Sequence, residues 1–162
     1  MRDRIATHLT WLEAELQAWD DELRQFSNQN PTWHAADEVL QSVPSVGSIT
    51  AMTLIAELPE LGQLDRQEIA TLVGVAPMNR DSGCKLGNYR TQGRRARVRS
   101  VLYMAALSAS RFTPIIRAFY ENLVKRGKEH KVALTACMRK LLVILNTMVK
   151  NKTPWRDAGK TA

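Results

Sequence analysis

A serine beside a glycine, in Asp81-Ser82-Gly83-Cys84-Lys85, opens a stretch that runs into Arg90, Arg94, Arg95, Arg97 and Arg99, with Arg80 just ahead of it. These residue types together suit chemistry on a nucleic-acid backbone. A serine hydroxyl is a poor nucleophile at neutral pH and needs activation as well as neutralisation of the charge that develops when it attacks. Arginine supplies the second requirement, because its planar fork matches phosphate oxygens and stays charged at any working pH. Two readings of these residues stand side by side. In one, Ser82 is a nucleophile and Arg80, Lys85, Arg90, Arg94, Arg95, Arg97 and Arg99 hold DNA or RNA phosphates. In the other, Ser82-Gly83 is an ordinary turn beside a basic binding surface.

The whole chain agrees with a polyanionic partner. Its 162 residues carry a formal net charge of +7, and 44% of them are hydrophobic, which excludes a wholly disordered protein. The first thirty residues lean acidic (Glu13, Glu15, Asp20, Asp21, Glu22), so the basic partner surface belongs to the middle of the chain. No apolar run is expected to reach the roughly 20 residues that cross a bilayer, and no signal peptide is read at the N-terminus. The expected location is cytoplasmic or nucleoid-associated, with no membrane partner. Cys84 and Cys137 lie far apart, and His8, His34 and His130 are scattered, so neither a disulfide framework nor a metal site is expected.

Helices must position these groups. From Ile5 to Phe26 the apolar residues keep a strict heptad, with Ile5, Leu12, Trp19 and Phe26 at one position and Leu9, Leu16 and Leu23 at the other. Such a seam calls for a partner helix, and a homo-oligomer through residues 5–26 is the expectation; an amphipathic helix folded onto its own domain is the alternative. Ser27 to Pro31 breaks the chain, and a short helix follows from about Thr32 to Gln41. Val43-Pro44-Ser45-Val46-Gly47 then leads into a helix from Ser48 to Leu58. Two helices joined by a tight apolar turn resemble a helix-hairpin-helix, in which Val46, Gly47 and Ser48 would offer backbone amides to a phosphate, although Ser45 stands where the usual pattern has glycine. A plain helical corner is the other reading.

Asp65 and Glu68 form a capping pair for a helix ending near Val73, and Gly74 to Pro77 releases the chain into the connection that carries Ser82 and extends to about Gly93. The segment from Arg94 to Ser110 reads as a helix with Val98, Leu102, Ala105, Ala106 and Ala109 inward. Its arginines crowd the first turns, where cations oppose the helix dipole at a cost an anionic ligand would relieve. Thr113-Pro114 starts the next helix, with Ile115, Phe119 and Leu123 on one side, and Gly127 stops it. The last helix, about Lys131 to Lys150, is expected to bury Val132, Leu134, Leu141, Leu142, Leu145 and Met148. The fold class is all-α, divided into a coiled-coil helix (1–30), a helical domain (31–152) and a polar, frayed tail (153–162).

Taken in order, Val43-Pro44-Ser45-Val46-Gly47, Leu72 to Pro77, Asp81-Ser82-Gly83 and Arg97 to Ala106 resemble the C-terminal transposase domain of the IS-one-ten-type insertion-sequence transposases. Ala118-Phe119-Tyr120 with Leu123, the Arg126-Gly127-Lys128 turn and Arg139 to Leu142 continue the likeness, which spans about residues 35–150. The resemblance implies a DNA recombinase that works with a structured guide RNA. It implies an N-terminal RuvC-like nuclease domain with four acidic metal ligands, joined by a coiled coil to the domain seen here. It makes Ser82 the residue that attacks DNA and holds a transient phosphoserine link, in a composite site shared with the acidic cluster.

This chain departs from that pattern. Nothing ahead of Ile5 supplies a RuvC-like domain, so no cofactor is expected in this chain, and Mg²⁺ is expected only with that missing domain. Alone, the chain should bind DNA without cutting it. Cys84 stands where a second glycine is common. Besides the serine transposase, a non-catalytic nucleic-acid-binding helical module and an assembly module driven by the heptad helix remain open.

Overall fold

The computed structural model describes residues 2–76 and 95–156, which form seven α-helices and, among those residues, no strand. The all-α expectation holds. The chain divides into two compact units, residues 1–35 and 36–162.

In the first unit, α1 (Arg2–Gln29) is a single helix of 28 residues, about 42 Å long at 1.5 Å per residue. No proline or glycine interrupts it. Asn30 ends it and starts α2 (Pro31–Gln41): the Asn30 side-chain Oδ1 accepts the Thr32 N–H at 3.2 Å, its carbonyl accepts the His34 N–H at 3.0 Å, and Pro31 takes the first helical position. Asparagine followed by proline is a strong start signal because proline lacks the N–H that would go unpaired there. The break is thus one residue rather than the five that the sequence suggests. Phe26 meets Trp33 edge-to-face, ring centroids 5.5 Å apart.

The second unit holds the core. α3 (Ser48–Glu57), α4 (Arg66–Val73), α5 (Ala96–Phe112), α6 (Pro114–Lys125) and α7 (His130–Asn151) complete the element order. α5 packs against α3, α6 and α7, and α7 also packs against α4 and α6. Leu54, Leu58, Ile69, Val73, Leu102, Leu141, Leu142 and Leu145 are fully enclosed. The inward set expected for α5, Val98, Leu102, Ala105, Ala106 and Ala109, is buried throughout. On α6 the fully buried residue is Ile116, while Ile115 is 37% exposed. On α7 Val132, expected inside, is 52% exposed, because the inward face at the helix start is formed by its neighbours Ala133 and Leu134.

α7 also buries Asn146, a polar residue in an apolar stripe. Its Oδ1 accepts the Gly62 N–H at 2.7 Å and its Nδ2 donates to the Leu64 carbonyl at 2.9 Å, so one side chain satisfies two backbone groups of the α3–α4 connection. By length and composition α7 passes as a membrane span, contrary to the expectation that no apolar run comes close, but half of that stretch is buried in the core. The segment expected to fray is also held as far as Trp155. That indole packs against the core, and its backbone N–H donates to Ser42 Oγ at 2.8 Å.

Candidate nucleic-acid interface

The site is built by the two ends of a connection. Ahead of it, α4 is fixed by a reciprocal cap: Asp65 Oδ1 accepts the N–H groups of Gln67 (2.6 Å) and Glu68 (2.7 Å), while Glu68 Oε2 accepts the Asp65 N–H at 3.0 Å. The backbone N–H groups of Glu68 and Gln67 hold the Asp65 carboxyl below its ordinary range. Gly74 ends the helix in the left-handed region, φ 77°. The Ala70 carbonyl then receives the N–H groups of Gly74 (3.1 Å), Val75 (2.9 Å) and Ala76 (3.1 Å), which gives the chain a fixed exit. Beside that exit an open concavity of about 740 Å³ lies between α4 and Arg139 of α7.

The chain re-enters at Arg95. Its guanidinium donates to the Glu57 carbonyl and pairs with Glu60 Oε1 at 2.8 Å. Arg99 donates to the Val73 carbonyl at 3.1 Å. Glu57 and Val73 are the last residues of α3 and α4, so two arginines at the start of α5 sit on two helix C-termini, where positive charge is favoured. Arg97 behaves differently. Its side chain is 84% exposed and touches Glu57 Oε1 at 3.2 Å. No acidic residue occupies the first turn of α5, and its N-cap side chain does not cap it.

Of the residues singled out from the sequence, Arg95, Arg97 and Arg99 are thus brought together at one helix start, with Arg97 directed outward. Arg80, Ser82, Lys85, Arg90 and Arg94 lie outside the described residues. Nothing in the residue order signals that Arg95 and Arg99 are committed to backbone carbonyls of other helices, since the acceptors are main-chain atoms that any residue type would present. At the expected hairpin, the Val46 N–H is spent inside the turn, donating to the Val43 carbonyl at 2.9 Å. Gly47 and Ser48 are exposed at the start of α3, with Gly47 extended at φ −88°. Ser45 is buried without a left-handed backbone. Among the described residues no group of three or more His, Cys, Asp or Glu side chains could hold a metal ion, and no step through Mg²⁺ is assigned to them.

The heptad residues of α1 are open to solvent: Ile5 57%, Leu9 54%, Leu12 39%, Leu16 65%, Trp19 63%, Leu23 49% and Phe26 55% exposed.

These features define an all-α chain with an arginine-rich helix start that follows a serine-bearing connection. A family model described as the transposase IS116/IS110/IS902 family matches residues 37–121, and the chain belongs to that family. It is similar to the uncharacterized 44.8 kDa protein of insertion element IS116 from Streptomyces clavuligerus, at 31% identity covering 98% of this chain and 40% of that protein. The uncharacterized 42 kDa protein of insertion element IS900 from Mycobacterium paratuberculosis is 28% identical, covering 98% of this chain and 40% of its own length. A pilin gene-inverting protein of Moraxella bovis is 23% identical, covering 90% of this chain and 49% of that protein. The chain therefore spans less than half of the length of each of these relatives.

Proposed function

We propose that this chain is the serine-bearing part of a DNA transposase, which holds the phosphodiester backbone at the start of α5 and presents Ser82 as the nucleophile for strand exchange. The observation that carries the reading is Arg97: its side chain is 84% exposed just past the segment that contains Ser82, in a first helical turn with no acidic residue of its own, and its one ion pair, to Glu57 at 3.2 Å, is open to exchange for a phosphate. An anion there meets the uncapped N–H groups of α5 and a guanidinium together. Membership of a transposase family and similarity to a gene-inverting protein support DNA as the substrate.

In the reaction, Ser82 Oγ bonds to phosphorus as one ester P–O bond breaks. The serine proton passes to a base, and the departing oxygen takes up a proton. Cationic side chains lower the barrier by meeting the charge that gathers on the phosphoryl oxygens. Arg80, Lys85, Arg90 and Arg94 are assigned to the same grip. The acidic metal-binding half of the site comes from a RuvC-like domain, so the chain alone binds DNA without cleaving it. A guide RNA and a second chain, paired through residues 5–26, complete the assembly.

The test is to combine the chain with a cognate RuvC-like domain, RNA, Mg²⁺ and target DNA, and to look for a protein–DNA adduct on a denaturing gel. The adduct is expected from the wild type and lost in Ser82→Ala. An adduct of equal yield from Ser82→Ala would overturn the assignment and favour a module in which Ser82 is only a turn residue.

A further inference from the structure

A second concentration of positive charge lies at the junction of α6 and α7. Lys125, Arg126, Lys128 and Lys131 fall within seven residues, all exposed, and Glu129 is the single carboxylate among them. None of the four cations makes an ion pair among the described residues. Local pairing is available in principle. Glu121 stands one turn before Lys125, the favoured order for a glutamate–lysine pair on a helix. Its Oε1 instead accepts from Arg117 Nε at 3.0 Å, and Lys125 has no ion-pair partner among the described residues.

The backbone holds these charges in place. The Lys128 N–H donates to the Leu123 carbonyl at 3.1 Å and the Gly127 N–H to the Val124 carbonyl at 2.9 Å, with Gly127 in the left-handed region at φ 78°. This paired arrangement closes the helix end and fixes the turn. Across it, Tyr120 Oη and His130 Nδ1 share a hydrogen bond of 2.8 Å, which ties α6 to α7 and places an aromatic ring beside the basic turn. Favourable interaction with the α6 dipole accounts for Lys125 and Arg126 at its C-terminus. It does not account for Lys131, which sits in the first turn of α7, where a cation opposes the dipole and where Glu129 provides no side-chain cap.

We infer that the α6–α7 turn is a second phosphate-binding surface, separate from the start of α5, and that its ligand is the backbone of duplex DNA. The inference rests on the proposed function for the choice of DNA. Clustered cations without ion-pair partners, carried on a fixed backbone turn, repel one another in the free chain, and a polyanion relieves that repulsion. Such binding is directed at phosphates and carries no sequence information, so the turn sets the orientation and strength of binding rather than the site chosen.

The experiment measures binding of the full chain to a fluorescent duplex across a salt series, for the wild type, Arg97→Ala and the triple variant Lys125→Ala/Arg126→Ala/Lys128→Ala, which keeps Gly127. The triple variant is expected to bind about tenfold or more weakly at low salt, with a log–log slope shallower by about 0.9 for each phosphate it no longer neutralises. Its melting temperature should stay within a few degrees of the wild type, since every replaced side chain is exposed and only the dipole contribution of Lys125 and Arg126 is lost. Lys125→Arg/Lys128→Arg should retain the wild-type slope. An unchanged slope in the triple variant, beside a reduced one in Arg97→Ala, would overturn the second surface and leave the proposed function standing. Weakened binding to a structured RNA with duplex binding unchanged would overturn the choice of DNA. A shifted assembly mass with unchanged DNA affinity would overturn the inference in favour of a turn that docks an acidic protein segment.

Discussion

Asn146 Oδ1 accepts the Gly62 N–H at 2.7 Å, joining residues 84 positions apart and locking the α3–α4 connection onto α7. That connection carries Glu60, the carboxylate that holds Arg95. A buried amide on one helix therefore helps to hold the connection whose carboxylate pairs with Arg95 at the start of α5.

Asn146→Leu should be strongly destabilising for its size. It strands the Gly62 N–H and the Leu64 carbonyl, both at half-buried positions, at up to about 1–3 kcal/mol for each group that water fails to reach. A denaturant titration should show a lower midpoint with an unaltered slope. Gly62→Ala should act at the same place by another route. Its φ is +84° and an added Cβ would lie 2.9 Å from Val149 Cγ1, so the left-handed penalty of about 1–2 kcal/mol is joined by a steric one.

The α4 cap gives an acid-sensitive contribution. The Asp65 carboxyl titrates below its ordinary value because two backbone N–H groups favour its charged form. Its contribution is present above the unfolded-state value near 3.8 and is lost as pH falls through the lower folded-state value. Asp65→Asn keeps an acceptor and should flatten the pH dependence below about pH 4. Melting curves of the two proteins across that range check this; parallel curves would contradict it.

Arg95 and Arg97 should separate in function. Arg95→Ala removes bonds to a carbonyl and a carboxylate at a partly buried site, and should cost about 1–2 kcal/mol of stability after allowance for solvent screening. Arg97→Ala, at an 84% exposed side chain, should change stability by less than about 0.5 kcal/mol while weakening DNA binding. Thermal melts set beside a binding isotherm distinguish the two.

The α1 seam predicts assembly. Leu12→Asp/Leu16→Asp places two charges on a stripe whose large apolar side chains each contribute roughly 1.5–3 kcal/mol when buried. Sedimentation should show loss of oligomer. Equal mass and equal melting temperature in both proteins would exclude the seam as an interface.

Much of this architecture was legible because periodicity and punctuation agree. Val98, Leu102, Ala105, Ala106 and Ala109 recur at helical spacing, and Asp65 with Glu68, Pro114 and Gly127 mark helix ends through local chemistry alone. What failed depended on longer range. Val132 is exposed while Ala133 and Leu134 are buried, since periodicity within one helix does not say which edge of its apolar stripe is covered by neighbouring elements. Asn146 reads as an interruption of an apolar stripe, since its partners are backbone atoms of a distant connection. At the candidate site the clustering of Arg95, Arg97 and Arg99 was visible in sequence, but the division of labour among them was not, because it depends on where α3 and α4 end.

The Arg97–Glu57 pair also bears on how a salt titration should be interpreted. In the free chain this guanidinium already has an anion. A phosphate that reaches it performs an exchange, returning Glu57 to solvent, and the gain is the difference between two pairings rather than the full value of one. Added salt screens the pairing that must be given up as well as the one that forms. The cost of release thus falls while the reward falls, and the two effects oppose each other in the measured slope. Arg97 should therefore register as less than one whole neutralised phosphate, and the cations of the α6–α7 turn, which give up no such pairing, should register closer to whole ones.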